Sequence, residues 1–289
     1  NIAKYLAANN IELEFMVGEG GLVVEDNPML PDQSMAMIGL AEKTYVTLTL
    51  KAVGDGGHSS MPVENNAVVN LSKAVTLLHE NPFEPQLVPP MTDMLNVMGD
   101  HIGGVQGWLM SNQWLTSPVL TAMLSRDPAT NAQVRSTTAV TMFSAGIKEN
   151  VISQKAEAKV NFRLLPGYSP EQLVEDVTVL IDDPSISIES QSWKKSPPVA
   201  DIHGHGYNKV KTAIESVLPN TLVAPGMLTA TTDSPHYQTL APNIYRFHPF
   251  TLPMSHTKAI HGTNERISLD SIADSVKLST ALIRSVAQP

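Results

Sequence analysis

Between residues 44 and 193, segments with a two-residue hydrophobic period and segments with a helical period follow each other in an order that few folds accommodate. Thr44–Val53 (TYVTLTLKAV) is rich in β-branched residues and alternates, which predicts a strand with side chains on opposite faces. A glycine-rich turn follows at Asp55–Pro62 (DGGHSSMP), and then Asn66–Glu80 carries Val68, Leu71, Val75 and Leu78 at helical spacing. Thr137–Ser144 and Glu157–Leu165 (EAKVNFRLL) predict two more strands joined by a loop at Gly146–Gln154. Pro170–Ile181 predicts a helix capped by Ser169, with Pro170 at its first position, and Ser185–Trp193 predicts a final strand. Strand, helix, strand, strand, helix, strand is the order of a ferredoxin-like sandwich. Residues 82–135 interrupt it as a proline-punctuated insert of short helices, whose Met91, Met94, Met98, Met110 and Met123 fill irregular packing beside Trp108 and Trp114.

The flanking segments read differently. Asn1–Asn10 has the pattern of the later part of an amphipathic helix, and Ile11–Val17 that of a strand ending in a tight turn at Gly18–Gly21. Residues 22–43, with Pro28 and Pro31, read as an irregular connection. Beyond a linker at Lys194–Pro198 come a helix (Gly206–Val217), strands near Leu222–Met227 and Asn243–Phe250, and a closing helix (Leu269–Val286). Alternating helices and strands indicate an α/β unit. The expected domains are therefore 1–43 and 194–289, two portions of one α/β domain, with 44–193 inserted between them and carrying the helical insert 82–135.

Charge and cysteine content narrow the chemistry. A net charge of −9 argues against an extended nucleic-acid footprint or an anionic membrane surface as partner. The chain has no cysteine, which excludes disulfides, a thiol nucleophile and thiolate metal sites, so any transition-metal site must use His, Asp and Glu. No apolar run approaches the roughly 20 residues that span a bilayer, and residues 1–15 lack the basic-then-apolar order of a signal peptide.

Several residues stand where chemistry could use them. His261, in a loop beside Gly262, is suited to metal coordination or to a plain structural role, and Glu19 among glycines has the same two readings. His58 follows two glycines at a strand-to-helix turn, where an imidazole can reach a ligand or another subunit. Neither Ser59 nor Ser60 lies in a nucleophile-elbow pattern, and His203-Gly204-His205 reads as surface loop before a helix. Arg163 interrupts an apolar strand, a costly placement unless it meets an anion, either a bound carboxylate or a structural partner. Asn150 could hydrogen-bond a carbonyl or serve its own turn.

Six motifs in order, GEGG (18–21), GGHSSMP (56–62), GIKENV (146–151), VNFRLLPG (160–167), TDSPHY (232–237) and IHGTNERIS (260–268), resemble the dinuclear-zinc carboxypeptidase and aminoacylase family. The likeness is greatest to its branch of carboxypeptidase S and N-fatty-acyl-amino-acid hydrolases, and it covers the whole chain as the later part of a family member. The resemblance implies a zinc-binding catalytic α/β domain with an inserted ferredoxin-like lid that also forms a homodimer. It implies two zinc ions per complete site, and a hydroxide that attacks the amide of a small peptide or N-acyl-amino acid. On the same ground His261 and Glu19 are metal ligands, and His58 is the lid histidine that stabilises the oxyanion of the other subunit. Asn150 and Arg163 hold the substrate's carbonyl and carboxylate, and Asp233 supports the metal site. The remaining ligands and the general base are expected before residue 1, leaving this chain inactive alone. Two departures, Gly18 in place of Asp and Pro235 in place of Arg, support an alternative: a non-catalytic binding relative without the metal centre.

Overall fold

The protein is described by a computed structural model covering residues 2–27, 30, 32–191, 193 and 196–287. In chain order its elements begin with α1 (Ile2–Ala8), β1 (Met16–Glu25), β2 (Ser34–Glu42), β3 (Thr44–Val53), β4 (Gly57–His58) and α2 (Ala67–Glu80). Then come α3 (Met91–Ile102), α4 (Gly104–Ser111), α5 (Gln113–Leu124), α6 (Pro128–Val134), β5 (Thr137–Ala145), β6 (Val151–Ile152) and β7 (Lys155–Leu164). The last are α7 (Pro170–Ile181), β8 (Ile186–Ser190), α8 (His205–Val217), β9 (Thr221–Leu228), β10 (Ile244–Pro253) and α9 (Leu269–Ala287). They form two compact units: Lys43–Gln86 with Ser125–Lys195, and Asn1–Glu42 with Leu87–Leu124 and Ser196–Pro289.

The unit built on Lys43–Gln86 and Ser125–Lys195 is a ferredoxin-like sandwich. Its four strands lie in the order β5-β7-β3-β8, every neighbour antiparallel. Strict alternation along β7 sends Ala156, Ala158, Val160, Phe162 and Leu164 into the core, leaving Glu157, Lys159, Asn161 and Arg163 on the opposite face. Helices α2 and α7 close the apolar side through Ala67, Leu71, Ala74 and Leu78 and through Leu173, Val177 and Ile181. Both helix starts are capped. Asn66 Oδ1 accepts from the Val68 and Val69 amides (2.9 and 3.3 Å), and Ser169 forms a capping box with Gln172.

The other unit contains a mixed sheet in the order β1-β10-β2-β9. The β1–β10 and β2–β9 pairings are parallel, and β2 runs antiparallel to both β10 and β1. Val23, Ile38, Leu40, Val223, Tyr245 and Phe247 from the sheet share a core with Tyr207, Val210, Ala213 and Ile214 of α8 and Leu278 of α9.

Three expectations are corrected. The GEGG segment is not a turn at a strand end but the middle of β1, whose pairing with β10 steps from Gly18↔Arg246 to Gly21↔Phe247. Glu19 and Gly20 are thus extra residues in a bulge, with Gly20 at φ +146. A Cβ at Gly21 would sit 1.9 Å from the Met37 carbonyl oxygen, so glycine is required there by strand proximity. Residues 22–43 are not an irregular connection, because β1 continues to Glu25 and β2 begins at Ser34; Pro28 and Pro31 lie outside the described residues. Helices α3, α4 and α5 belong with the mixed sheet rather than with the sandwich. Helix α3 packs on β9, and Gly99 and Gly107 bring α3 and α4 so close that a Cβ at Gly107 would lie 2.3 Å from the Gly99 carbonyl oxygen. Of the linker expected at Lys194–Pro198, Lys194 and Lys195 lie outside the described residues.

Truncating the fully buried Phe162 to Ala should lower the unfolding free energy in urea by about 3–5 kcal/mol. Val179→Ala, at an exposed position of α7, should change it by less than about 0.5 kcal/mol.

Candidate functional site

The sandwich unit carries three of the sequence-singled residues on two separate features, the His58–Asn150 ribbon beyond the Val53↔Lys155 end of the β3–β7 pair and Arg163 near its Thr44↔Leu164 end. His58 lies on β4, which pairs with β6 through Gly57↔Ile152 and His58↔Val151, and the Ser59 amide donates to the Asn150 carbonyl oxygen (3.2 Å). The short ribbon thereby joins the GGHSSMP and GIKENV segments and sets His58 beside Asn150, both exposed. The Ser60 amide donates to His58 Nδ1 (3.2 Å), and the Ser60 hydroxyl lies 2.8 Å from the same nitrogen. Nδ1 is therefore the acceptor, and hydrogen bonding assigns the neutral ring's proton to Nε2, outside this turn. Such an Nε2–H is a donor suited to an oxyanion.

Arg163 occupies the face of the sandwich sheet away from the helices. Its guanidinium lies over the Tyr45 ring, 4.4 Å from the centroid, and the two residues are cross-strand partners on β7 and β3. Its Nη1 is buried and finds no hydrogen-bond partner among the described residues. Burial pulls the guanidinium below its ordinary value, opposed by Tyr45. A half-buried cation with an unused donor is an anion-accepting feature, since leaving such a donor unmade costs about 1–3 kcal/mol. Beside it lies Lys43, fully buried, whose Nζ donates to the Arg135 carbonyl oxygen at the end of α6 (2.5 Å). Burial first, and the Arg163 charge second, push the Lys43 amine down to about 8.

In the mixed-sheet unit, Glu19 is exposed in the β1 bulge, and Asp233 precedes a one-turn 3₁₀ helix at Ser234–His236, also exposed. His261 lies in an exposed turn with φ 58, followed by the Gly262 amide donating to the Ala259 carbonyl oxygen (2.8 Å). Nearby, Arg266 Nη2 and His256 Nε2 are 2.9 Å apart. Among the described residues no three His, Asp or Glu side chains form a group able to hold a metal ion, and a catalytic zinc keeps three protein ligands. His205 is occupied with Glu14, 2.5 Å away, in keeping with a surface role.

Sequence reading missed the charged residues beneath these motifs. Glu42 and Arg246 are fully buried and joined by Arg246 Nε donating to Glu42 Oε2 (3.1 Å). Burial draws the Arg246 guanidinium down while Glu42 opposes it. The rule that singled out Arg163, a charge inside an apolar strand, applies equally to Arg246 in Ile244–Phe247.

The model of the M20 peptidase dimerisation domain matches residues 40–188. The protein named "Probable carboxypeptidase S-like 2" of Dictyostelium discoideum is 35% identical over 289 residues, covering 99% of this chain and 55% of the relative. The "N-fatty-acyl-amino acid synthase/hydrolase PM20D1" of Xenopus tropicalis is 35% identical over 287 residues, covering 98% of this chain and 56% of the relative. The chain thus spans little more than half the length of these relatives. Among solved structures, the M20 family metallo-carboxypeptidase Sso-CP2 from Sulfolobus solfataricus shares the fold with a TM-score of 0.65 at 15% identity, over 98% of this chain and 66% of that one.

Lys43 generates a pH prediction. Because its folded-state value, about 8, is below the ordinary lysine value of 10.5, the unfolded chain binds more protons between those pH values. Stability contributed by this group therefore rises with pH across that window, and below it both states are charged and the burial penalty is fully present. Urea unfolding from pH 7 to 10.5 should show a rise in the native sequence that is absent in Lys43→Met. A rise of equal size in both would assign it to other groups.

Proposed function

The chain belongs to the M20 peptidase family, and from that premise we propose that the complete protein is a metal-dependent amide hydrolase that frees an amino acid from an N-acyl-amino acid or a peptide C-terminus. The observation that carries this reading is Arg163, a cation held on a tyrosine ring with a buried Nη1 that has no hydrogen-bond partner among the described residues. Both proposed substrate classes end in a free carboxylate, the anion such a donor accepts in a charge-assisted hydrogen bond. The names of the relatives, carboxypeptidase S-like and N-fatty-acyl-amino acid synthase/hydrolase, agree with that choice.

The roles of this chain's residues follow from their chemistry. Arg163 holds the carboxylate and so sets which end of the substrate enters. The Asn150 side-chain amide donates to the substrate carbonyl. His58 donates its Nε2 proton to the oxygen that gains charge during attack, and we assign this histidine to the active site of a second copy in a homodimer. Glu19 and His261 are this chain's two metal donors and Asp233 supports them. Two donors are too few for a catalytic zinc, so hydrolysis requires ligands beyond these, and the chain alone is expected to be inactive. In a complete site the metal would supply an activated water.

The homodimer is proposed to form through the sandwich unit. Its edge strand β5 is exposed along most of its length and presents Val140, Met142 and Phe143 to solvent. A long apolar edge of this kind needs cover, and a second copy provides it by closed two-fold pairing.

Two experiments test the proposal. The complete protein should hydrolyse N-acyl-amino acids, lose activity to a chelator and regain it with zinc; a metal-loaded protein that leaves a broad acyl and peptide panel uncut would contradict the reading. Light scattering should show a dimer, and Met142→Lys should convert it to monomer; a monomeric wild-type protein would refute the dimer.

A further inference from the structure

The buried charges that the proposed chemistry leaves unused are Arg246 and Glu42. Arg246 Nε donates to Glu42 Oε2 (3.1 Å), and its Nη1 donates to the Ile244 carbonyl oxygen (3.0 Å). Glu42 Oε2 also accepts from the Thr232 amide (3.2 Å) and the Thr232 hydroxyl (2.6 Å). Since that hydroxyl proton is given to Glu42, the Ser234 hydroxyl, 2.7 Å from Thr232 Oγ1, donates to it, as does the Ser234 amide (3.1 Å). Glu42 thereby anchors the turn that bears Asp233.

The stem of Arg246 underlies the other motif. Arg246 pairs in register with Gly18, and a Cβ at Gly20 would fall 2.9 Å from the Arg246 Cβ. At Gly39 on β2 the same distance would be 3.1 Å. The bulge bearing Glu19 is therefore seated on the Arg246 Cβ together with the Leu228 side chain, whose Cδ2 would lie 2.3 Å from a Cβ at Gly20.

The pair is poorly suited to stability alone. Glu42 Oε1 and Arg246 Nη2 are buried without hydrogen-bond partners among the described residues, so the two groups do not form a bidentate fork. Replacing a buried ion pair with apolar residues of similar volume is often neutral or stabilising. An apolar pair would keep a Cβ beneath the bulge but could not hold the Thr232 amide and hydroxyl, so the bulge would no longer be tied to the Asp233 turn. We propose that Arg246 and Glu42 are positioning residues that hold the Glu19 bulge and the Asp233 turn in one fixed arrangement. The functional consequence rests on the reading above, that both segments border the reacting site.

Hydrogen exchange and kinetics on the complete protein separate the two claims. Thr232→Val removes one donor to Glu42 and also the acceptor of the Ser234 amide, so the readout is the His236 and Tyr237 amides, whose exchange should rise about fivefold or more while residues 17–22 remain unchanged. The double variant Glu42→Leu with Arg246→Met should raise exchange in residues 233–237, leave the melting temperature unchanged or higher, and lower kcat at least about tenfold with KM nearly constant. Unchanged exchange at the His236 and Tyr237 amides of Thr232→Val overturns the linkage, and does so even where the double variant fails to fold. A uniform rise across the whole unit in a folded double variant also overturns it, because that is what a merely structural pair would give. A wild-type protein that is inactive on every substrate, yet whose variants show the segment-specific exchange, supports the linkage and overturns only the hydrolase reading.

Discussion

The close approach of β1, β2 and β10 is the constraint on which the mixed sheet depends. Only glycine fits where Gly21 faces the Met37 carbonyl, and Gly20 and Gly39 leave room for the Arg246 stem between the strands. The space the glycines give up is filled by the Leu228 side chain and by the Cβ of Arg246, whose buried charge must then be met. Glu42 meets it and also binds Thr232. Local backbone requirements in one motif thus propagate through a buried ion pair to a second motif more than 200 residues away in sequence.

The sandwich unit solves a different problem. Its strands devote one face to two helices, so every second residue is available for other work. On β7 those residues are Glu157, Lys159, Asn161 and Arg163, and on β3 they include Tyr45 and Thr47. The rigid core behind them holds Arg163 over Tyr45 at the cost of an unmade hydrogen bond. A preorganised donor of this kind discriminates ligands more effectively than a mobile surface arginine, because little ordering remains to be done on binding.

Legibility in the sequence followed the length scale of the physics. The sandwich could be read because its periods are local: Thr44–Val53 and Pro170–Ile181 have the bounds that alternation, Ser169 and Pro170 indicated. The β1 bulge could not, since a glycine cluster looks the same whether it serves a turn or a strand pressed against its neighbour, and only the Met37 carbonyl decides between them. Helices α3 to α5 misled for a related reason, as their sequence position inside the sandwich says nothing of the β9 surface that receives α3 or of the α3 surface that receives α4. Of the site residues, the adjacency of His58 and Asn150 was invisible in sequence because it depends on the β4–β6 ribbon. Glu42 and Arg246 carried a readable signal, a charge inside an apolar run, that was applied only to Arg163.

The proposed activity rests most heavily on Arg163 acting as a carboxylate receptor. The most direct measurement compares kcat/KM of the complete protein for an N-acyl-amino acid and for its uncharged carboxamide, in wild type and in Arg163→Met. A charge-assisted contact predicts a preference for the free acid of about 10- to 100-fold in the wild type, falling toward unity in the variant. An equal preference in both proteins would contradict the assignment of Arg163 to the substrate.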